Sequence, residues 1–432
     1  MIAASLDAAE DSSALKRRDW KIIGLIGSAH ASSHFFQLVF PTLYLSLAHE
    51  YGYDFVKLGL LATVFFLVSC LGQASSGFVV DRIGPAPVLR FGLSCFVLSG
   101  VLIAVSNGYL VLLLAAVIGG IGNSVFHPVD YSIINHRVSQ RRLGHAFSTH
   151  GLTGNLGWAL TPVFMAAIIY LSNWRVAALG AAALVAFVLF LTWLGRDLLA
   201  GKNTTVQAQA ADTSAAGSPQ TDLSRQTVRQ TLATLLVQPA LWGAFLFFAF
   251  TSMALSAVQN YTIPMLGEVY GIDKVLAGTT LSGYMIAAAI GMAAGGFLVG
   301  ATPNTERTVA ISLLLAGALL VVLAAGGVPP SFAMVLVGLA GFCSGVSAPS
   351  RDMLIRRVTP KGATGTVYGL VYSGMDVGSS LAPVSFGLML DAGFTQGPWF
   401  GAATGFVLAA GLAVLVARSA GRGAVPVSPA RA

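Results

Sequence analysis

Charge is what this chain has least of. Asp, Glu, Lys and Arg make up 9% of its 432 residues, against 55% hydrophobic ones. A soluble domain carries about 25% charged residues, so a soluble globular fold is excluded. Cysteine is also scarce: Cys70, Cys95 and Cys343 lie in apolar runs without metal-ligand spacing. That excludes a disulfide framework and reads the three as small packing residues. No GxxxxGK(S/T) phosphate cradle argues for a built-in ATPase, and no His-Glu-x-x-His pattern or nucleophile with a base argues for an intramembrane hydrolase. The sequence calls for no cofactor and no metal, and reads as something other than an enzyme.

What is abundant is apolar sequence in runs near the length that crosses a bilayer, about 20 residues. Twelve such runs are expected, at 20–47, 55–81, 87–106, 109–138, 143–171, 174–195, 239–268, 275–301, 306–326, 330–358, 363–391 and 396–418. The beginning, MIAASLDAAEDSSALKRRDW, lacks the charged, apolar and small-residue order of a cleaved leader, so the first run is expected to be retained. With a cytoplasmic N-terminus, twenty of the 24 basic residues fall on the inside; Lys57, Arg175 and Lys274 fall outside, and Arg351 lies within a span. This asymmetry predicts cytoplasmic termini in a cell membrane, inner or plasma. It also explains the net charge of +7 as topology, with no nucleic-acid partner implied.

Between 196 and 238 the composition turns to Ala, Gln, Ser and Thr, too polar to order a core. Its end, LSRQTVRQTLATLLVQP, spaces Leu223, Val228, Leu232 and Leu235 as an interfacial lead-in helix would, with Arg225 and Arg229 off that stripe. The expected division is therefore a cytoplasmic tail at 1–19, a six-helix bundle at 20–195, this linker, a second six-helix bundle at 239–418, and a tail at 419–432. The halves also repeat. A shift of 221 positions lays GNSVFHPVDYSIINHRV on CSGVSAPSRDMLIRRVT without gaps, pairing Pro128 with Pro349, Asp130 with Arg351, Asn155 with Asp376 and Pro162 with Pro383. Repeated halves with proline-interrupted helices are a common way to build a transport site at the bilayer midplane.

The joint after the second span reads GFVVDRIGPAPVLR, from Gly77 to Arg90. Gly84 permits the reversal there, and Asp81 and Arg82 sit at headgroup level. This motif resembles the Gly-x-x-x-Asp-Arg-x-Gly signature of the major facilitator superfamily. It departs in having Pro85, Ala86 and Pro87 where basic residues often follow, and in losing the Asp-Arg pair in the equivalent GGFLVGATPNTER. The resemblance covers the whole chain and implies an all-α fold of twelve transmembrane helices in two pseudo-symmetric bundles that rock about a central cavity. The strings HFFQLVFPTLYLSLAHEYG, LGLLATVFFLVSCLGQASSGFVVDRIG, GIGNSVFHP and GNLGWALTP are further similar to its fosmidomycin-resistance-type branch, which implies efflux. Gln37 stands where that branch leads one to expect an acid.

Ionisable groups inside spans cost about 2.5–3.5 kcal/mol each on insertion scales, and so should face a bundle interior. His30, His34 and Gln37 share one face of the first span, as titrating groups or as neutral imidazoles bonded to the fifth span or to backbone. Asn123, His127 and Asp130 make a second stripe on the fourth, where Pro128 removes a backbone bond and bends the helix. His127 is placed on the cavity or an inner gate. Asp130, nearer the inside, is expected to bridge to Arg82 or Arg90 as part of that gate, a proton-carrying role being the alternative. On the tenth span Arg351 takes the position of Asp130 and calls for a carboxylate or an anionic solute; Asp352 is expected to point to Arg307 or to the start of the eleventh span. There Tyr368, Tyr372 and Asp376 form a stripe, with Asp376 the first candidate for proton coupling beside His30, His34 and His127. His150, Asn155 and Trp158 of the fifth span, and Gln259, Asn260 and Tyr261 of the seventh, complete the candidates, the latter as an outer gate or as interface anchors.

The expected function is proton-coupled secondary transport of a small anionic or zwitterionic solute by a monomer, with export by antiport ahead of uptake of an organic acid by symport. A non-transporting membrane sensor is the reading from another class.

Overall fold

The computed structural model describes residues 13–139, 142–199, 238–302, 304–358 and 364–422. The linker at 200–237, with Arg225 and Arg229, lies outside them, as do the side chains of Asp81, Tyr368 and Tyr372. Every regular element is a helix: α1 Ser13–Gln37, α2 Val39–Tyr51, α3 Phe55–Ile83, α4 Pro85–Ala104, α5 Tyr109–Asn123, α6 Phe126–Arg137, α7 Leu143–Leu171, α8 Trp174–Leu194, α9 Arg196–Leu199, α10 Pro239–Tyr270, α11 Lys274–Ala301, α12 Thr305–Ala324, α13 Pro330–Val358, α14 Thr364–Asp391 and α15 Gly397–Arg422.

These build twelve traversals, because the first is α1 followed by α2 and the fourth is α5 followed by α6. Proline explains both interruptions. Pro41 has no N–H to give the Gln37 carbonyl and its ring crowds that carbonyl, so the helix stops at Gln37 and restarts after Leu38. Pro128 does the same to the carbonyl of Ser124, and α5 ends at Asn123 before α6 begins at Phe126. Pro162, Pro264, Pro349 and Pro383 sit inside unbroken helices. Among the described residues, ten traversals are apolar and long enough to cross a membrane; the first and eleventh are not among them. Both are rich in polar residues, with His30, His34, Ser32 and Ser33 in one and Ser373, Asp376, Ser379 and Ser380 in the other.

The joint between α3 and α4 is one residue, Gly84, at φ +86°, a backbone conformation open to glycine, and Pro85 opens α4 where its missing N–H costs nothing. Large apolar side chains on the outside of the helices, such as Leu71, Leu110, Phe187 and Phe297, are exposed, as a lipid-facing surface requires.

Spans one to six and seven to twelve pack as two bundles that meet along two helix pairs, α3 against α14 and α7 against α11. These pairs are equivalent under the internal repeat. Side-chain hydrogen bonds join the two bundles toward the face opposite the chain termini. Asp391, at the end of α14, accepts the backbone N–H groups of Phe55 and Val56 at 2.8 and 2.7 Å, bonding the open N-terminus of α3 with a carboxylate from the other bundle. Tyr44 donates to Asn260 at 3.0 Å, and Thr63 to the Ser380 carbonyl at 2.6 Å. Tyr261 donates to the Pro383 carbonyl. The crossing of α3 and α14 is close enough that a Cβ on Gly59 would collide with the Pro383 carbonyl.

Candidate functional site: a histidine-aspartate cluster in the first bundle

The first, fourth and fifth spans bring four histidines together. Helical spacing puts His30 and His34 on one face of α1, the kink before Pro128 turns α6 so that His127 and Asp130 approach that face, and α7 adds His150. Asp130 is fully buried. Its Oδ2 accepts from Nδ1 of His30 at 3.0 Å and from Nε2 of His150 at 3.2 Å, and those two rings stack with centroids 3.5 Å apart. His34 lies with its ring 4.5 Å from that of His30 and 4.3 Å from Trp158, and both its ring nitrogens are buried without a hydrogen-bond partner. Oδ1 of Asp130 is likewise without a partner.

The expected bridge from Asp130 to Arg82 or Arg90 is therefore not formed. Arg90 donates to the Thr192 carbonyl at 2.9 Å and lies 4.2 Å from the Trp193 ring, both of α8, while Arg82 is exposed. Spacing assigned Asp130 to the right helix face but not to the neighbour that face meets, which is α1 and α7.

Next to the histidines a second network is built from uncharged groups. Asn123 accepts from Ser33 at 2.8 Å and from Gln37 at 3.1 Å, and donates to Ser69 of α3 at 2.8 Å. Gln37 in turn accepts the Trp158 indole N–H at 3.0 Å. Gln37, where an acid was expected, thus ties α1 to α5 and α7. Asn155 bonds back to the Gly151 carbonyl of its own helix and stays out of both networks.

The second bundle contributes separate groups. Asp376 of α14 is half-buried and lies beside the Cys70 thiol of α3, across the bundle interface. Cys70, read as packing, is therefore a neighbour of the foremost carboxylate. Arg351 pairs with Asp352 at 2.9 Å and lies 5.0 Å from the Phe248 ring. Asp352 was expected to turn toward Arg307 or the eleventh span; it folds back onto the adjacent arginine instead. Asn260 joins Tyr44 across the bundle interface, and Nε2 of buried Gln259 has no partner.

Toward the face that carries the termini, His127 and Tyr131 of α6 are exposed. His127 thus connects the buried cluster to the surface, its ring 5.5 Å from that of His30.

Sequence comparison decides the family. The description Major Facilitator Superfamily matches residues 25–383 and again 250–431. The chain belongs to the Major Facilitator Superfamily. Its family and fold are those of multi-pass membrane transporters, which move small solutes and are not enzymes. In its first half it is 34% identical, over 154 residues, to the fosmidomycin resistance protein of Escherichia coli (strain K12), a match spanning 35% of this chain and 37% of that relative's length. It is 22% identical over 356 residues to the "Probable L-galactonate transporter" of the same organism, covering 80% of this chain and 78% of that one. It is 23% identical over 374 residues to that organism's "Membrane sensor protein UhpC", covering 83% and 82%. Among solved structures it is similar to a bacterial homolog of the human lysosomal transporter Spinster, inward-facing and unoccupied, with a TM-score of 0.74, 15% identity and coverage of 97% of this chain and all of that one.

Proposed function

We propose that this superfamily member is a proton-coupled secondary transporter in a cell membrane, with both termini cytoplasmic and one monomer sufficient for transport. The observation that carries the reading is Asp130, fully buried with imidazoles as its bonded partners. A buried carboxylate needs a compensating charge. When the partners are histidines, that charge is a proton, so the cluster's net charge follows proton binding and release through exposed His127.

Inter-bundle bonds on the far face and exposed His127 and Tyr131 toward the terminal face are what one state of an alternating-access cycle, open to the cytoplasm, would show. The basic asymmetry supports that orientation. Opening the far face must part Asp391 from α3 and Cys70 from Asp376. This makes Asp376 the second proton site, because the charge of a carboxylate at the interface changes the energy of separating the bundles. Arg351, Gln37, Asn123 and Trp158 supply the cation and hydrogen-bond groups that a small anionic or zwitterionic solute would meet. Export by antiport follows from the likeness to the fosmidomycin resistance protein. Uptake of an organic acid by symport is the second reading, favoured by the likeness to a relative named for L-galactonate transport.

The test is solute-dependent proton movement in proteoliposomes, across a panel of organic anions and antibiotics, for the parent, Asp376→Asn and Arg351→Ala. The proposal expects loss of coupling in the first variant and loss of anion transport in the second. Parent-like behaviour of both variants for every transported solute contradicts the assignment; a parent inert toward the whole panel favours a sensor.

A further inference from the structure

The histidine cluster has a property that proton traffic does not use. One ring nitrogen from each of His30, His127 and His150 can be chosen so that all three lie within 4.8 Å of one another. They come from three different helices, α1, α6 and α7. A carboxylate can only accept hydrogen bonds, so ionised Asp130 fixes the tautomers of two of the rings: His30 presents its N–H at Nδ1 and His150 at Nε2. The opposite nitrogens, Nε2 of His30 and Nδ1 of His150, then carry lone pairs. This is the arrangement in which a carboxylate behind a histidine orients it toward a metal ion and raises its basicity.

Gly154 of α7 faces Nε2 of His30, at a position that a side chain would fill. A Cβ at that position would lie 3.1 Å from Nε2 of His30 and 3.1 Å from Nε2 of His34. His34, with both ring nitrogens buried and unpartnered, borders the same space and offers a fourth donor. Exposed His127 opens the cluster to the surface.

We infer that His30, His127 and His150, oriented by Asp130 and joined by His34 or water, form a binding site for one borderline transition-metal dication of the Zn2+ class. Three or four neutral imidazoles select Zn2+, Ni2+, Co2+ or Cu2+ over Mg2+ and Ca2+, which take oxygen ligands. Zinc–nitrogen bonds are about 2.0 Å, so the rings must close inward by about 1 Å each, within the reach of side-chain rotation. A bound dication would hold α1, α6 and α7 together and occupy the groups assigned to proton transfer. Binding itself is independent of whether the protein transports anything, so this inference and the transport reading fail separately.

The test uses the tag-free full chain, stripped with chelator in detergent. Co2+ is titrated in for its visible absorption bands, and Zn2+ affinity is measured by competition with a chromophoric chelator. One equivalent of metal is expected. His127→Ala, at an exposed position whose loss leaves the core packed, and Gly154→Ala, which fills the space, should each weaken binding at least about tenfold, and Asp130→Asn by about 10–100-fold, as for other residues that orient metal ligands. His136→Ala and His145→Ala, at exposed histidines outside the cluster, should bind as the parent does. Metal-free melting temperatures of His127→Ala and of a second variant, His127→Gln, separate loss of a ligand from loss of fold. Equal affinity in the parent and in folded His127 variants, or loss of binding with His136 or His145, overturns the inference.

Discussion

Two charged side chains at the ends of the first traversal show how residues fix helix positions outside the transport site. At the terminal face Asp19 is fully buried and accepts from Ser139 Oγ at 2.6 Å and from Arg142 at 3.0 Å, tying the start of α1 to the joint between the fourth and fifth spans. Removing one partner of a buried ion pair costs about 3–5 kcal/mol, because the other charge stays in place. Arg142→Ala should therefore lower the melting temperature in detergent, and Asp19→Asn together with Arg142→Ala should recover part of that loss; an unchanged single variant would contradict the assignment. At the opposite end Glu50, beyond the first apolar run, accepts from the Trp174 indole and from Arg175 at 2.7 Å. The Trp174 hydrogen bond, with the Arg175 guanidinium, holds its carboxyl below its ordinary value of 4.5. A carboxyl lowered in the folded state adds stability that is fully present above the unfolded value and is lost as pH falls through the folded one. The parent should thus lose stability below pH 4.5 more steeply than Glu50→Gln. Parallel melting curves over that range would show that the contact contributes nothing.

The two proline-interrupted traversals and the two inter-bundle helix pairs carry the design at the scale of elements. In the fourth span the bend was readable from Pro128, and the resulting turn of α6 brings Asp130 to His30 and His150. In the first span Pro41 carries the same information, yet hydropathy over 20–47 reads as one continuous run because leucines, phenylalanines and a valine surround the break. Spacing put His30 and His34 on one helix face, and the structure brings their rings together. Spacing could not give the neighbour, since that depends on how helices 100 residues apart pack. The misplacement of Asp130 toward the arginines, and of Cys70 among mere packing residues, both come from that gap. Asp391 had no signal at all: an acid at the end of a span looks like a headgroup anchor until the open N-terminus of α3 is seen beneath it. Asp391→Ala removes both of its bonds to that helix, and should loosen the contact so that a cysteine placed at Asn260 reacts faster with a membrane-impermeant thiol reagent. An unchanged labelling rate would mean that the contact does not depend on this carboxylate.

Across the whole molecule, the twelve-span fold and its repeat could be read from apolar runs and from the Gly77–Arg90 motif, because the bilayer dictates helix length and polarity. The repeat also locates an inequality that the function needs. One bundle holds a carboxylate among histidines, and the equivalent position in the other holds Arg351, paired with Asp352. The two bundles thus carry opposite charge at repeat-related positions, and they meet along α3–α14 and α7–α11. The most direct measurement is of proton flux accompanying solute movement in proteoliposomes containing Asp130→Asn, with solute exchange in the absence of a pH gradient measured on the same vesicles. The account predicts that exchange persists while solute-driven proton flux disappears. Proton flux equal to the parent's, in a variant that still exchanges solute, would contradict it.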